Sequence, residues 1–217
     1  MKELSITTEF FNPFASPEIS PACNEHWAAK RELADAIKAL NEALMTSNGS
    51  VETLLTAAKT IREQSTEISK EPRLFGVMAF IGTGEHGTYA EIANEMNALG
   101  GHSNPMAPGI NMWVDGMCAA GTVSFNHSYE GPPGFVHGGY VAGILDQFLG
   151  MAQIVGKQPG MTGTLTIHYH QPTPLDTELQ LRAESKTVGE RKTRVTGTIS
   201  VGDQITATAE GLFIRPK

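Results

Sequence analysis

The stretch GPPGFVHGGYVAGILDQFLG, residues 131–150, decides the fold. A turn-rich lead of glycines and prolines runs into a His-Gly-Gly triplet, and an almost wholly apolar segment follows. Residues 140–155 are apolar on every side rather than on one face, which is typical of a helix buried in a core. One carboxylate, Asp146, stands inside this segment, where burial without a partner would be costly. We therefore expect Asp146 to have a hydrogen-bonding partner, to face a cleft or to take part in chemistry.

Strict alternation of apolar and polar residues follows this helix and predicts a four-strand meander up to the end of the chain. The first of these strands alternates Leu165, Ile167 and Tyr169 with polar residues. Two further strands precede the helix, at about 110–115 and 117–126. Two strands, one long buried helix and four more strands favour an α+β domain in which a single antiparallel sheet wraps around the central helix.

The N-terminal part predicts helices instead of strands. Helical spacing of apolar residues begins at Glu25, with Asn24 as a plausible cap, and a second helix capped by Ser50 ends before Pro72. We expect these two helices to form an antiparallel pair. A third helix is predicted over residues 86–100.

The chain divides near residue 106 on this basis. Residues 1–23 have several prolines and no periodicity, which predicts an extended arm. The glycine-rich segment 81–87 lacks the Gly-Lys-Ser/Thr ending of a phosphate-binding loop and predicts a flexible loop. Residues 1–106 form an N-terminal arm and helical extension in this division, and residues 107–217 form the main domain.

Composition excludes several classes of protein. The 217 residues carry a net charge of −7, and the first 130 residues hold 8 Lys/Arg against 16 Asp/Glu, which argues against general attraction to nucleic acid. The two cysteines have no metal-type spacing and indicate a reducing compartment rather than a disulfide framework. Neither a signal-peptide pattern nor an apolar run of membrane-spanning length occurs, so we predict a cytoplasmic protein without a membrane span.

The glycine pair at the helix start predicts a site for an oxygen that develops negative charge. Gly138 and Gly139 leave backbone N–H groups open to a ligand, although such a pair is more often simple turn geometry. Gly138 and Asp146 are eight positions apart, or about 12 Å along a helix, so one carbonyl cannot contact both groups of one helix. Two such helices antiparallel across a twofold axis would bring them together, which predicts a homodimer.

Three features carry a resemblance to a known family: the segment GPPGFVHGG, the acid nine residues after His137, and the segment TGTLTIHYHQPTPL. Over residues 108–217 the chain resembles the hotdog-fold acyl-CoA thioesterases of the PaaI-like and THEM4-like kind. The resemblance implies a hotdog domain that assembles as a homodimer or a dimer of dimers and hydrolyses acyl-CoA to free acid and CoA. It implies no metal and no cofactor, because coenzyme A is part of the substrate.

The resemblance also implies roles for individual residues. Asp146 would be the catalytic carboxylate, acting as a general base for water or as a nucleophile. The Gly138 N–H, with Gly139 nearby, would polarise the thioester carbonyl, and His137 would hold this turn in place. Thr162 would position water or hydrogen-bond Asp146.

One position departs from the family pattern. Many relatives place Asn or Gln six residues before the histidine, where this chain has Gly131. A second polar group to orient the substrate carbonyl is therefore absent at that position.

A basic cluster at Arg191, Lys192 and Arg194, with Lys186 across the turn, is the densest in this acidic chain. CoA carries a 3′-phosphate and a pyrophosphate, so the cluster suits a substrate-binding role at a groove mouth. An ordinary solvated hairpin is the alternative.

Other interpretations remain open. His168 and His170 lie on one face of a strand at the spacing of a metal pair, but no third ligand is close in sequence. The enzyme alternative is a hotdog-fold acyl-CoA hydratase or dehydratase, and the alternative from another class is a non-catalytic acyl-CoA-binding module.

Overall fold

A six-stranded antiparallel sheet and one long helix form the C-terminal part of the chain, in a computed structural model that describes residues 24–153 and 160–215. The strands are β1 Asn111–Asp115, β2 Cys118–Val123, β3 Met161–Tyr169, β4 Leu179–Gly189, β5 Lys192–Val201 and β6 Gln204–Ile214. The helices are α1 Glu25–Thr46, α2 Val51–Ile68, α3 Val77–Thr83, α4 Tyr89–Met96 and α5 Gly138–Ala152. The strand order is β1-β2-β4-β5-β6-β3, and every neighbouring pair is antiparallel. This arrangement confirms the predicted α+β fold, with α5 packed on strands β3 to β6.

The alternation of apolar and polar residues in the sequence places apolar side chains on one face of this sheet and polar side chains on the other. On β4 the residues Leu179, Leu181 and Ala183 are buried, whereas the polar residues between them are exposed. Val195 and Ile199 on β5 repeat the pattern. Because successive side chains of a strand point to opposite faces, one face of the sheet packs on α5 and the other meets solvent.

Helix α5 is buried on one side and half-exposed on the other. The buried side carries six residues of the main core: Val141, Ile144, Leu145, Phe148, Leu149 and Ala152. Asp146, Gln147 and Gly143 lie on the half-exposed side. The prediction that this helix is buried all round is therefore wrong for a single chain. Its predicted end at Ile154 and Val155 lies outside the described residues.

Strand β3 is an edge of the sheet and pairs only with β6 among the described strands. Most of its nine residues are exposed, and its pairing is irregular between Thr162 and Thr164. An edge strand presents a row of unpaired backbone N–H and C=O groups, which favours pairing with another strand.

The N-terminal helices begin where their caps predict. The side chain of Asn24 accepts from the Trp27 N–H, and the side chain of Ser50 accepts from the Thr53 N–H. Trp27 is fully buried in a small second core with Phe80 and Ile92. This core joins α1 to α3 and α4.

The third predicted helix is shorter than expected, and one helix was missed. Helix α4 covers Tyr89–Met96 rather than 86–100, because a capping box at Thr88 and Glu91 starts it and Asn97 ends it. The Asn97 side chain accepts from the Leu99 and Gly100 N–H groups, which competes with further helical turns. The predicted loop over 81–87 begins inside α3, Val77–Thr83.

Helix α2 buries none of its residues. Leu54, Ile61 and Ile68, which recur at helical spacing, are all exposed. The predicted arm over residues 1–23 lies outside the described residues. No helix in the described ranges is both long and apolar enough to cross a bilayer.

Candidate active site

Asp146 lies in the middle of α5 and is held by the edge strand. The Thr162 hydroxyl donates a hydrogen bond of 3.0 Å to Asp146 Oδ1. Thr162 is exposed near the start of β3, and Asp146 is half-buried. Within residues 24–153 and 160–215 no other hydrogen bond to this carboxylate is found, so Oδ2 has no hydrogen-bond partner there. The isolated acid therefore has a partner and an accessible oxygen.

The start of α5 is built by the His-Gly-Gly triplet. His137 is the N-cap, and its Nδ1 accepts a hydrogen bond of 3.0 Å from the Gly139 N–H. The His137 carbonyl accepts from the Tyr140 N–H at 2.9 Å. The Gly138 N–H has no acceptor among the described residues, so it is the backbone donor left open at this helix end. The Gly139 N–H, by contrast, is engaged by His137.

The loop before the triplet explains why this chain has Gly131. A Cβ at Gly131 would lie 2.6 Å from the His137 Cα, which no side chain can occupy without moving the backbone. The Glu130 carboxylate accepts from the Gly134 N–H at 2.6 Å, and Gly134 has a φ of +80°, a conformation that favours glycine. The close approach of His137 therefore favours glycine at position 131.

The basic cluster lies at the same end of the sheet as Thr162 but on the other face. In the register Lys192 pairs with Ile214, and Ile214 pairs with Met161, next to Thr162. Lys192 and Arg194 are exposed, whereas the residues between and after them are buried toward α5. A molecule that contacts both Thr162 and these cations must therefore extend from one face of the sheet to the other around its end or its edge.

Two of the arginines of this cluster already have protein partners. Arg191 donates from Nε and Nη2 to the Arg215 carbonyl at 2.9 and 2.7 Å. Arg194 Nε lies 3.5 Å from Glu210 Oε1. Both contacts are exposed and leave the side chains within reach of solvent.

His168 on β3 and His170 just after its end do not belong to a group of three potential metal ligands in the described part of the chain. His168 and His170 are exposed, and His170 Nε2 lies 3.0 Å from Thr208 Oγ1. The group of three potential ligands found there consists of Glu42, His127 and Asp176.

One residue at this site was missed by the sequence analysis. The Tyr169 hydroxyl donates a hydrogen bond of 2.9 Å to the Gly138 carbonyl. Alternation marks Tyr169 only as an apolar position of β3, and its contact with residue 138 depends on how the strand packs along α5. No local pattern in the sequence predicts this contact between Tyr169 and Gly138.

Comparison with known proteins identifies relatives of this site. A family model described as "Thioesterase superfamily" matches residues 133–208. The chain is 36% identical over 88 residues to acyl-coenzyme A thioesterase THEM4 of Mus musculus and 32% identical over 88 residues to that of Xenopus laevis. The match covers 40% of this chain and only 38% of the mouse protein, well under two thirds of its length.

A solved structure extends the likeness to most of the chain. The crystal structure of a thioesterase superfamily protein is 30% identical, with a TM-score of 0.69. The alignment covers 90% of this chain and 97% of that one, so it reaches into the N-terminal helices as well as the sheet.

Proposed function

The chain belongs to the thioesterase superfamily, and we propose that it hydrolyses the thioester of an acyl-CoA to the free acid and CoA. One observation carries this proposal. Asp146, which accepts a hydrogen bond from Thr162 of β3, lies on the same helix as the Gly138 N–H, which has no acceptor among the described residues. A carboxylate with one free oxygen can take a proton or attack a carbonyl. A free backbone N–H at a helix start suits a developing oxyanion.

The proposed reaction has two forms that use the same groups. As a general base, Asp146 accepts a proton from water while the water oxygen attacks the thioester carbonyl carbon. As a nucleophile, its oxygen attacks the carbon directly, and water then hydrolyses the mixed anhydride. In both forms the carbonyl oxygen gains negative charge against the Gly138 N–H, the C–S bond breaks, and the CoA thiolate is protonated. Neither form requires a metal or a redox cofactor.

A second copy of the chain is needed for this chemistry. Gly138 and Asp146 are eight positions apart on α5, about 12 Å along its axis, which is too far for one carbonyl to contact both. The half-exposed side of α5 and the free edge of β3 lie together beside Asp146. An isologous dimer over this surface would pair the Asp146 of one protomer with the Gly138 N–H of its partner.

The CoA part of the substrate suits the basic hairpin. The phosphates of CoA are anionic and the cluster at the end of the sheet is cationic. Lys192 is the simplest candidate, because Arg191 and Arg194 already contact Arg215 and Glu210. In this proposal the nucleotide lies outside the sheet and the acyl chain enters beside α5.

The experiment that tests the function is a thiol-release screen over short, long and aromatic acyl-CoAs. It compares the wild type, Asp146→Asn and the matched control Asp203→Asn, since Asp203 is an exposed acid in the β5–β6 turn. We expect the first variant to keep the fold and lose at least about a hundredfold in kcat, and the control to match the wild type. Double-bond hydration of an enoyl-CoA without thiol release, or tight CoA binding without any turnover, would contradict the proposal.

A further inference from the structure

The peptide between Gly138 and Gly139 is held at both of its polar ends. Its carbonyl oxygen, on Gly138, accepts from the Tyr169 hydroxyl at 2.9 Å. Its N–H, on Gly139, donates to His137 Nδ1 at 3.0 Å. Because the C=O and N–H of a trans peptide point in opposite directions, Tyr169 and His137 grip the peptide from opposite sides.

This peptide lies in the first turn of α5, and a glycine flanks it on each side. Glycine reaches backbone conformations that other residues do not, so a Gly-Gly peptide rotates more easily than others. The tyrosine ring lies beside Gly138, since its Cε1 and hydroxyl are 3.6 Å from where an added Cβ would stand. Through its hydrogen bond to the Gly138 carbonyl, Tyr169 therefore limits the rotation of this peptide.

The Gly138 N–H, which has no acceptor among the described residues, lies immediately before the Gly138–Gly139 peptide. The two are joined through the Gly138 Cα, and the peptide that carries the donor is anchored by the His137 carbonyl on the Tyr140 N–H. Because the His137–Gly138 peptide and the Gly138–Gly139 peptide are both held by hydrogen bonds, the Gly138 N–H keeps one direction. A donor that is already oriented needs no reorganisation when charge develops on a substrate oxygen.

We propose that Tyr169 is a positioning residue that acts with His137 to fix the Gly138–Gly139 peptide and so to aim the Gly138 N–H at the substrate carbonyl. This inference deepens the proposed function and rests on it. Strand β3 would then support two groups of α5. Thr162, near the start of the strand, donates to Asp146, and Tyr169, at its end, donates to the Gly138 carbonyl. In the dimer each β3 would then support one group in each of the two composite sites.

The test uses Tyr169→Phe, which keeps the ring and removes the hydroxyl, with Tyr89→Phe as the matched control at an exposed tyrosine that begins α4. Two readouts are taken on the full chain: kcat and KM for the acyl-CoA that the wild type hydrolyses best, and the exchange rate of the Gly139 amide in protein labelled with 15N-glycine. We expect Tyr169→Phe to lower kcat about tenfold, as expected when an oriented hydrogen bond is lost, with KM changed less than about twofold. We expect the Gly139 amide to exchange about tenfold faster, because its peptide loses the hydrogen bond from Tyr169.

A double-mutant cycle identifies the shared target. If Tyr169 and His137 grip one peptide, Tyr169→Phe should add little to the loss in kcat caused by His137→Ala. Full additivity, an unchanged kcat, or an unchanged Gly139 exchange rate in Tyr169→Phe would each overturn the inference. If the wild type releases no thiol from any acyl-CoA, the proposed function fails, and the Gly139 exchange rate alone then decides whether Tyr169 holds the peptide.

Discussion

Thr162 Oγ1 donates to Asp146 Oδ1 over 3.0 Å and so joins the free edge of the sheet to the central helix. The bond orients the carboxylate and leaves its second oxygen open on the half-exposed side of α5. Asp146 is thus neither a buried structural acid nor a solvated one.

Removing this hydrogen bond should reduce turnover without unfolding the domain. We expect Thr162→Val, which preserves shape, to lower kcat about tenfold because the carboxylate loses its fixed orientation. Thr162→Ser should restore most of the activity. The control is Thr164→Val, another exposed threonine of β3. Steady-state thiol release measures both, and equal effects of the two valine substitutions would contradict a specific role for Thr162.

The donor at Gly138 can be removed with little change to the backbone. Proline has no N–H and is well tolerated at the first position of a helix. The preceding residue, His137, has φ −59° and ψ 130°, which suits a residue before proline. We expect Gly138→Pro to fold and to lose about a hundredfold or more in kcat, as oxyanion donors do when removed.

Gly138→Ala is the matched control for that substitution, because it keeps the N–H. Its Cβ would meet the Tyr169 ring at an ordinary contact distance of 3.6 Å. We expect its kcat to stay well above that of Gly138→Pro at similar melting temperature. A proline variant as active as the alanine variant would show that this N–H does not stabilise the oxyanion.

The ion pair between Arg31 and Glu95 should be a main attachment of α1. Glu95 is only 2% exposed, and it also accepts from the Ser103 hydroxyl. We expect Glu95→Ala to lower the free energy of unfolding by about 3 kcal/mol, because it removes the buried carboxylate that accepts from both Arg31 and Ser103. Urea unfolding measures this. The control is Glu67→Ala, whose exposed pair with Lys70 should contribute less than about 1 kcal/mol.

Stability should fall as the pH is lowered below 6.5, in part through His102. Partial burial, followed by the nearby Arg31 cation, lowers the pKa of His102 below its ordinary value of 6.5, with Lys38 acting in the same direction and Glu95 and Asp35 opposing it. Between the two pKa values the unfolded chain binds more protons than the folded protein, so acid favours unfolding there. Above pH 6.5 the imidazole is neutral in both states, and this contribution disappears.

The His102→Gln variant isolates this effect from the titration of carboxylates. We expect its melting temperature to fall less than that of the wild type between pH 7 and about pH 5.5, where His102 alone differs. If the melting temperatures of the two proteins fall equally with pH over this range, His102 does not contribute to the loss of stability in acid.

The sheet could be predicted from the sequence because its pattern is local. Leu179, Leu181 and Ala183 alternate with polar residues, and each is buried as the alternation requires. The strand order could not be predicted in the same way, because nothing near Thr162 or Tyr169 says that β3 pairs with β6 at the edge. Helix α3 is only seven residues long, too short for a periodic signal.

The candidate site was predictable where chemistry and spacing coincide. The isolated Asp146 and the glycine pair stand out in an apolar run, and a family resemblance suggested their roles. The Tyr169 contact could not be predicted, because it joins positions 31 residues apart through tertiary packing. The half-exposed side of α5 was misjudged because apolar composition alone does not show which side of a helix is packed against the rest of the chain.

We propose that each active site takes Asp146 from one protomer and the Gly138 N–H from its partner. Co-expression of Asp146→Asn with Gly138→Pro tests it most directly. Each variant alone should be nearly inactive, but a mixed dimer contains one site with both native groups. Random pairing then predicts roughly a quarter of wild-type thiol release. If the purified mixed dimer is as inactive as either parent variant, the two groups do not act across the dimer and the account is wrong.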